Sequence, residues 1–313
     1  MIRFPTSLAE AATTAGTVRA GGTDLQERRK HGLSTGALVD LRDLEGLDTI
    51  EIVDGVLKIG ALARITDLAE HPGATLWQGL VAAAGGLATP QIRNRGTIGG
   101  NLLQEVRCWY FRNPHLVCAK SGGDRCLAKS GDALYHALYD RGPCIAPHPS
   151  TLAVALWAYD ATVVLDGDER LSIPELLGPG RDPKRTNALP AGRILVGVEV
   201  PMPWVGEGGA YRRTISRARA EWPLVEVTAR CVRAGGTLAN AVLTVGGTAN
   251  RPERLDSLAE ALKGHPPADF QGIIDSTLVE PGTLPQTAYK LPLLRVTVGD
   301  TLRDAWARSG TTP

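Results

Sequence analysis

Thr17-Val18-Arg19-Ala20-Gly21-Gly22-Thr23-Asp24-Leu25 runs from a strand-like stretch into two glycines, then opens onto Leu25 to His31, which has the spacing of a helix. A strand that ends in glycines and starts a helix exposes successive backbone N–H groups. With the helix start behind them, those groups suit a phosphate anion. Glycine is needed because a Cβ would hold a pyrophosphate off the backbone. The same residues also describe a plain strand-to-helix turn. Gly32 suits the C-terminal cap of the helix, and Ala37-Leu38-Val39-Asp40-Leu41 is a plausible second strand. Residues 1–55 thus form a small α/β unit.

A second segment, Gly96-Thr97-Ile98-Gly99-Gly100-Asn101, repeats the idea about 75 residues later and adds side-chain donors at Thr97 and Asn101. Two glycine-rich loops can hold one extended ligand from both sides. Neither is a G-x-G-x-x-G fingerprint or a P-loop ending in Lys-Ser/Thr, so a conventional nucleotide fold is disfavoured. The segment lies in a second unit, residues 56–177. There Val56 to Ala61 alternates like a strand, and Ile65 to Glu70 and Leu76 to Leu87 carry helical patterning. Ser150 suits the cap of a helix from Thr151 to Tyr159, and Ala161 to Leu165 returns as a strand. Residues 178–193, rich in Gly and Pro, are the linker candidate. In the final unit, 194–313, Ile194 to Val200 and Leu238 to Val245 are expected strands. Arg254 to Leu262 and Leu293 to Ala307 are expected helices, and Cys231 is an expected buried non-ligand within an apolar strand.

Four of the five cysteines, Cys108, Cys118, Cys126 and Cys144, fall in one window, separated by 9, 7 and 17 residues. Four thiolates can close a zinc site or a 4Fe–4S cluster. Structural zinc sites usually present close C-x₂₋₄-C pairs, which this window lacks, and widely spaced ligands suit a cubane better. Clustered but unligated cysteines are the plain alternative. His115, His136 and His148 are close in sequence but are expected to be surface or packing residues. Trp109-Tyr110-Phe111 would shield a cluster from water or simply anchor the loop.

The chain has 313 residues, 43% hydrophobic and 21% charged, with 34 Lys plus Arg against 33 Asp plus Glu. A net charge of +1 argues against a nucleic-acid or membrane-surface protein, which needs a basic excess. No apolar run is long enough to span a bilayer and no targeting segment is visible, so a cytoplasmic protein is expected, with co-export beside a partner left open.

In this order and separation, the two glycine segments resemble those of the FAD-binding subunit of the xanthine dehydrogenase/molybdenum hydroxylase family. The resemblance runs through Gln91 to Leu102, Ile194 to Pro201 and Tyr211-Arg212-Arg213, and covers nearly the whole chain. The cysteines resemble the branch with an extra 4Fe–4S insertion, here residues 104–147, as in certain aldehyde oxidoreductases and 4-hydroxybenzoyl-CoA reductase.

The resemblance implies an α+β protein. A two-subdomain α/β FAD-binding domain of the vanillyl-alcohol oxidase type would be followed by a smaller α+β domain. It also implies FAD as cofactor, with Val18, Arg19, Ala20, Gly21, Gly22, Thr23, Asp24 and Leu25, and Thr97, Ile98, Gly99, Gly100 and Asn101, wrapping pyrophosphate, ribityl and flavin edges. Leu195 would pack on the cofactor, Arg213 would place a cation near the flavin ring, and the four cysteines would hold the cluster. It implies partners as well: a molybdenum-cofactor large subunit, a small subunit with two 2Fe–2S clusters, and an external electron acceptor. Two departures stand out. Relatives carry an acidic cofactor contact where this chain has Thr151, which is expected to keep one hydrogen bond to the cofactor, and the cysteine gaps differ from those of the named relatives. A self-contained flavin oxidase and a zinc-bearing scaffold without flavin are the rival readings.

Overall fold

The computed structural model describes residues 1–218, 220–279 and 282–310. The chain opens with β1 (Ile2–Arg3) and α1 (Leu8–Thr13), capped by the Ser7 side chain accepting from the Glu10 amide. The first glycine turn then joins β2 (Thr17–Arg19) to α2 (Leu25–Lys30), and β3 (Leu38–Asp40) follows. These strands form a parallel sheet in the order β1-β3-β2 over a small core of Ala11, Val39, Leu41, Leu44 and Leu47. Gly32 ends α2 as expected. Its φ is 71°, and it directs its amide to the Arg29 carbonyl while Leu33 returns to Arg28.

The second unit begins with a hairpin, β4 (Ile50–Val53) and β5 (Val56–Gly60), turned by Asp54-Gly55 with φ of 51° and 76°. Positive φ at both central residues matches the strand twist, and Asp-Gly supplies it cheaply. Along the chain then come α3 (Ile65–Ala69), α4 (Gln78–Gly86), α5 (Pro90–Arg93), α6 (Ile98–Leu102) and α7 (Trp109–Arg112). Next is α8 (Thr151–Ala158), with Ser150 accepting from the Ala153 amide as the sequence predicts. After it come β6 (Thr162–Leu165), β7 (Arg170–Ser172), α9 (Ile173–Leu177) and β8 (Leu195–Pro201).

The placement of β8 moves the expected boundary at 194. The sheet order is β4-β5-β8-β6-β7, with Leu57 opposite Val200 and Val163 opposite Val198. β8 is therefore the central strand of the second unit. Leu195, Val198 and Val200 are buried in the same core as Trp77, Leu80 and Leu156. The Gly/Pro-rich stretch 178–193 is an excursion within this unit, and the last domain starts beyond Pro201. The local signal misled because turn chemistry marks a break in regular structure, not which sheet the next strand joins.

That domain is an antiparallel sheet, β12-β11-β10-β9, of β9 (Gly208–Thr214), β10 (Val225–Ala234), β11 (Thr237–Gly246) and β12 (Glu253–Arg254). α10 (Asp256–Leu262), α11 (Phe270–Thr277) and α12 (Lys290–Arg308) supply Leu258, Ile274, Leu291, Leu294, Val298 and Leu302 to its core, where Cys231 is fully buried. α12 runs through Val296-Thr297-Val298 although β-branched residues favour strands. Thr297 and Thr301 return their hydroxyls to the carbonyls four residues back. The other sheet face rests on the second unit. Thr244 Oγ1 donates to the Val154 carbonyl at 2.8 Å, and Ala210 and Thr228 lie against Gly79 of α4. Between α6 and α8 the cysteine segment has only α7 and short 3₁₀ turns at Ala119–Ser121 and Leu127–Lys129 among its described residues.

Candidate functional site

The two glycine segments meet face to face. A Cβ on Gly21 would stand 1.9 Å from the Arg95 carbonyl oxygen, far inside van der Waals contact, so only glycine lets the first turn close on the second segment. Around this contact lies a cleft lined by Val18 through Leu25 from one side and Thr97, Gly99 and Gly100 from the other. Leu195 at the start of β8 closes it, and Ala61, Leu62, Leu189 and Ile194 add apolar wall. Gly99 is constrained as well, since its Cβ would sit 3.0 Å from that of Ala61.

The second segment differs from the nest its glycines suggested. Thr97 caps α6 by accepting from the Gly100 amide at 3.1 Å, and the amides of Ile98 and Gly99 donate to the Ala63 and Ala61 carbonyls. The amides of Ile98, Gly99 and Gly100 are therefore already paired within the protein. What it presents to the cleft is a surface free of side chains, plus the Thr97 hydroxyl. The first turn, between a parallel strand end and α2, is the one placed to meet a phosphate.

At one end the cleft continues into a chamber of about 300 Å³ lined by Arg19, Arg42, Arg64 and Arg95. Arg19 and Arg42 share the buried Asp40, whose carboxylate takes a guanidinium nitrogen of each at 2.7 Å. Burial would raise that carboxyl, but hydrogen bonds from Arg42 and the charge of Arg19 hold it below its usual range. Arg19 was among the expected cofactor residues, but Arg42, Arg64 and Arg95 escape sequence reading because the β2/β3 pairing brings Arg42 to Arg19 and the Arg64–Thr97 bridge brings the others alongside.

At the other end a second chamber is walled by Leu87, Ala88, Ile92, Gln104, Arg107 and Trp222, with Asn101 at its base. Ala88 holds a left-handed φ of 48°, unusual for a residue with a Cβ. The Arg93 guanidinium clamps the turn by donating to the carbonyls of Leu87 and Ala88 at 2.9 and 3.2 Å. The amide oxygen of Asn101 accepts from Ser150 Oγ at 2.7 Å and from the Leu152 amide, tying α6 to α8.

Four of the expected cofactor residues point elsewhere. Ile98 is fully buried beneath α6. Thr151 is buried and donates to Glu226 Oε2 at 2.8 Å, an atom that also accepts from Tyr211. A carboxylate therefore does reach the Thr151 position, but from β10. Arg213 lies on β9 beside Glu226 and does not line the cleft or the chambers described here. Asp24 lines the cleft, yet its oxygens take Arg112 at 2.6 Å, Arg28 at 3.1 Å and the Glu105 amide at 3.1 Å, with Arg107 also in contact. Burial pushes its pKa up, but the charge of Arg107 and the hydrogen bond from Arg112 outweigh it and leave the carboxyl below its ordinary value. Asp24 thus fastens the glycine turn to the cysteine segment.

That segment brings Cys108, Cys118, Cys126 and Cys144 around one small enclosed space, with Val106, Tyr110, Phe111 and Lys120 completing the wall. Backbone amides of Tyr110 and Phe111 point at Cys108, those of Ala128, Lys129 and Ile145 at Cys126, and that of Ala146 at Cys144. Burial pushes the Cys108 thiol up to about 11, so its anion needs a positive partner. A hydrogen bond from Cys144 lowers the Cys126 thiol below its ordinary value, and the same contact together with burial raises Cys144. Among the described residues, no three His, Cys, Asp or Glu side chains converge closely enough to hold a single metal ion. His136 Nε2 lies 3.1 Å from Cys108 Sγ. No helix among the described residues is long and apolar enough to cross a membrane.

Residues 4–203 match the family described as the FAD binding domain in molybdopterin dehydrogenase. The chain is 35% identical to the aldehyde oxidoreductase FAD-binding subunit PaoB of Escherichia coli (strain K12), covering 96% of each chain. It is 27% identical to the nicotinate dehydrogenase FAD-subunit of Eubacterium barkeri over 63% of this chain and 54% of that one. Among solved structures, a carbon monoxide dehydrogenase from Hydrogenophaga pseudoflava superimposes with a TM-score of 0.75 at 21% identity, covering 98% of this chain and 97% of that one. Quinoline 2-oxidoreductase from Pseudomonas putida 86 gives 0.74 at 18%, covering 99% and 97%. These last two likenesses speak to the α+β fold alone. Given the family match over its first two thirds and a relative matched along nearly its whole length, the chain belongs to the family of FAD-binding domains of molybdopterin dehydrogenases, a family of oxidoreductases.

Proposed function

We propose that this chain is the electron-transfer flavoprotein subunit of a heteromeric molybdenum hydroxylase or dehydrogenase. The observation that carries the proposal is the closure of Gly21 on Arg95 between an arginine-lined chamber and one that sets Leu87, Ile92 and Trp222 beside polar groups of Asp24, Glu27, Gln104 and Arg107. FAD has that shape and polarity: an anionic pyrophosphate between a polar nucleotide end and a planar apolar ring. The first glycine turn would hold the anionic middle, the arginine-lined chamber would take the polar nucleotide end, and Leu87, Ala88, Ile92 and Trp222 would flank the ring. Bound there, FAD would supply redox chemistry between 2Fe–2S clusters of a small partner subunit, fed by a molybdenum-cofactor subunit, and an external acceptor. The chain's own residues position the ring and limit access to it. The names of its relatives as FAD-binding subunits of aldehyde oxidoreductase and nicotinate dehydrogenase support this reading.

The four cysteines favour a 4Fe–4S cluster. Thiolates around one zinc stand about 3.8 Å apart, by tetrahedral geometry from the metal–sulfur distance. Four cysteines arranged around a shared space, with backbone amides aimed at the sulfurs, suit a cubane. The Cys108–His136 contact leaves His136 as a neighbour of a ligand sulfur, and Tyr110 and Phe111 shield the space.

The test is an anaerobic absorption spectrum of the purified chain, with FAD, iron and zinc measured on the same sample. One FAD and about four irons per chain, with no aldehyde oxidation until partner subunits are added, is the expected result. A colourless zinc protein, or substrate turnover by the chain alone, would overturn it.

A further inference from the structure

Between the chamber walled by Trp222 and the cysteine pocket lies a third cavity, of about 320 Å³. It shares Arg107 and Trp222 with the first and Cys108 with the second. We propose that this cavity is a docking site for a planar, uncharged aromatic electron acceptor of the quinone class, placed to touch the partitions of both redox sites. The inference rests on the flavin reading above.

The walls set the chemistry. Trp109, Tyr135, His136 and Trp222 form an aromatic box, with Trp109 edge-on to His136 at 4.8 Å and to Tyr135 at 6.1 Å between ring centres. Leu224 and three prolines add apolar wall, with His148, Ser216 and charged side chains completing it. Stacking on aromatic faces is the interaction such walls offer a ligand. Charge argues for a neutral one. Arg107 is paired with Asp24 and Glu27 and lies 4.6 Å over the Trp222 ring, and Arg217 is paired with Glu221. Among the described residues the wall thus offers the pyrophosphate of a nicotinamide dinucleotide no unpaired guanidinium. Access is open, because Tyr135 and Trp222 are 47% and 43% exposed. Reduction of a bound quinone to the hydroquinone takes two electrons, from the flavin side, and two protons from water at the mouth.

The test titrates 2-heptyl-4-hydroxyquinoline N-oxide, a redox-inert quinone analogue with its own fluorescence, into the full chain loaded with FAD. Flavin absorbance is read on the same sample. Saturable binding at one site is expected, weakened at least about tenfold by Ser216→Trp, which fills the cavity, and by Tyr135→Ala, which removes one wall. FAD content should stay unchanged in both, which also reports folding. Three outcomes would overturn the proposal: no binding to the FAD-loaded chain, binding untouched by both substitutions, or binding only to FAD-free chain with displacement by FAD. The last would assign the cavity to the flavin ring. A chain that takes up no FAD would sink the flavin reading separately, and the analogue's response to Ser216→Trp would still read the cavity.

Discussion

Around the cofactor cleft every backbone segment is anchored in regular structure. The first glycine turn hangs between a parallel strand and a helix, the second starts a capped helix, and Leu195 opens the central strand of an antiparallel sheet. Around the cysteines the chain has little of this. The core of that segment is Ala128, Ala133, Ala137 and Ile145, too small to offset the ordering of some forty residues. Neighbours hold it instead. Asp24 and Glu27 grip Arg107 and Arg112, Gln286 and Thr287 bond to Gly131, Ala133 and Ala137, and Tyr289 reaches the Leu134 carbonyl. The cleft is shaped before its ligand arrives, whereas the cysteine pocket depends on partners and on whatever the thiolates bind.

If that contrast holds, the cleft should fail by shape and the pocket by loss of a staple. The largest effect belongs to Gly21→Ala. With no room beside Arg95, the two segments must part, and FAD affinity should fall at least about 100-fold, or roughly 2.7 kcal/mol. Iron content and secondary structure should stay near wild type. Loss of iron together with FAD would show that the two regions are not separable.

Cys126→Ser comes next. On the proposed cluster, iron should be lost, and the melting temperature should drop by roughly 5 °C as the segment loses that cross-link, with FAD still bound. Unchanged melting would make the pocket a cluster site without a structural role.

Asp24→Asn tests the joint between the regions. Removing one partner from buried ion pairs should cost about 3 kcal/mol at neutral pH. The Asp24 carboxyl titrates below its ordinary value in the folded chain. Its contribution is therefore fully present above the unfolded pKa, near 3.8, and is lost as pH falls through the folded one. The stability gap between wild type and variant, read by urea unfolding, should be constant above about pH 4 and close below it.

The smallest effect is expected at Lys290, fully buried at the start of α12 with its ammonium 3.4 Å from the Gly247 carbonyl. Burial lowers its pKa to about 7, so the folded chain holds fewer protons than the unfolded one between there and 10.5. Stability from this group rises with pH across that window. Lys290→Met should therefore raise the melting temperature by roughly 2 °C at pH 6, and the gain should shrink toward pH 10. A loss instead would mean that the ammonium fastens the cysteine segment through the neighbouring 284–290 stretch.

Much of this architecture was legible locally. The turn at Gly21-Gly22, the Gly32 cap, the Ser150 cap and the buried strand around Cys231 all follow from the conformational preferences and polarity of a few adjacent residues. So did the two glycine segments as partners and the four cysteines as a group. Pairing of three amides of the second segment was not legible, because the capping Thr97 and the Ala61 and Ala63 carbonyls that take them are set by the fold. The strand at Leu195 was expected, but not the sheet it joins.

What the sequence determined by itself is the chemistry available: glycines that admit a backbone, thiols that can bind metal, arginines that can meet phosphate. Only the tertiary structure decided which of these meet. Arg19, Arg42, Arg64 and Arg95 surround one chamber, Glu226 crosses from β10 to Thr151, and Asp24 turns from the cleft to the arginines of the cysteine segment. The reason is physical. Turns and caps are fixed by neighbours along the chain, whereas a buried charge goes wherever packing places its counterpart, and that counterpart lies up to 88 residues away for Asp24 and Arg112.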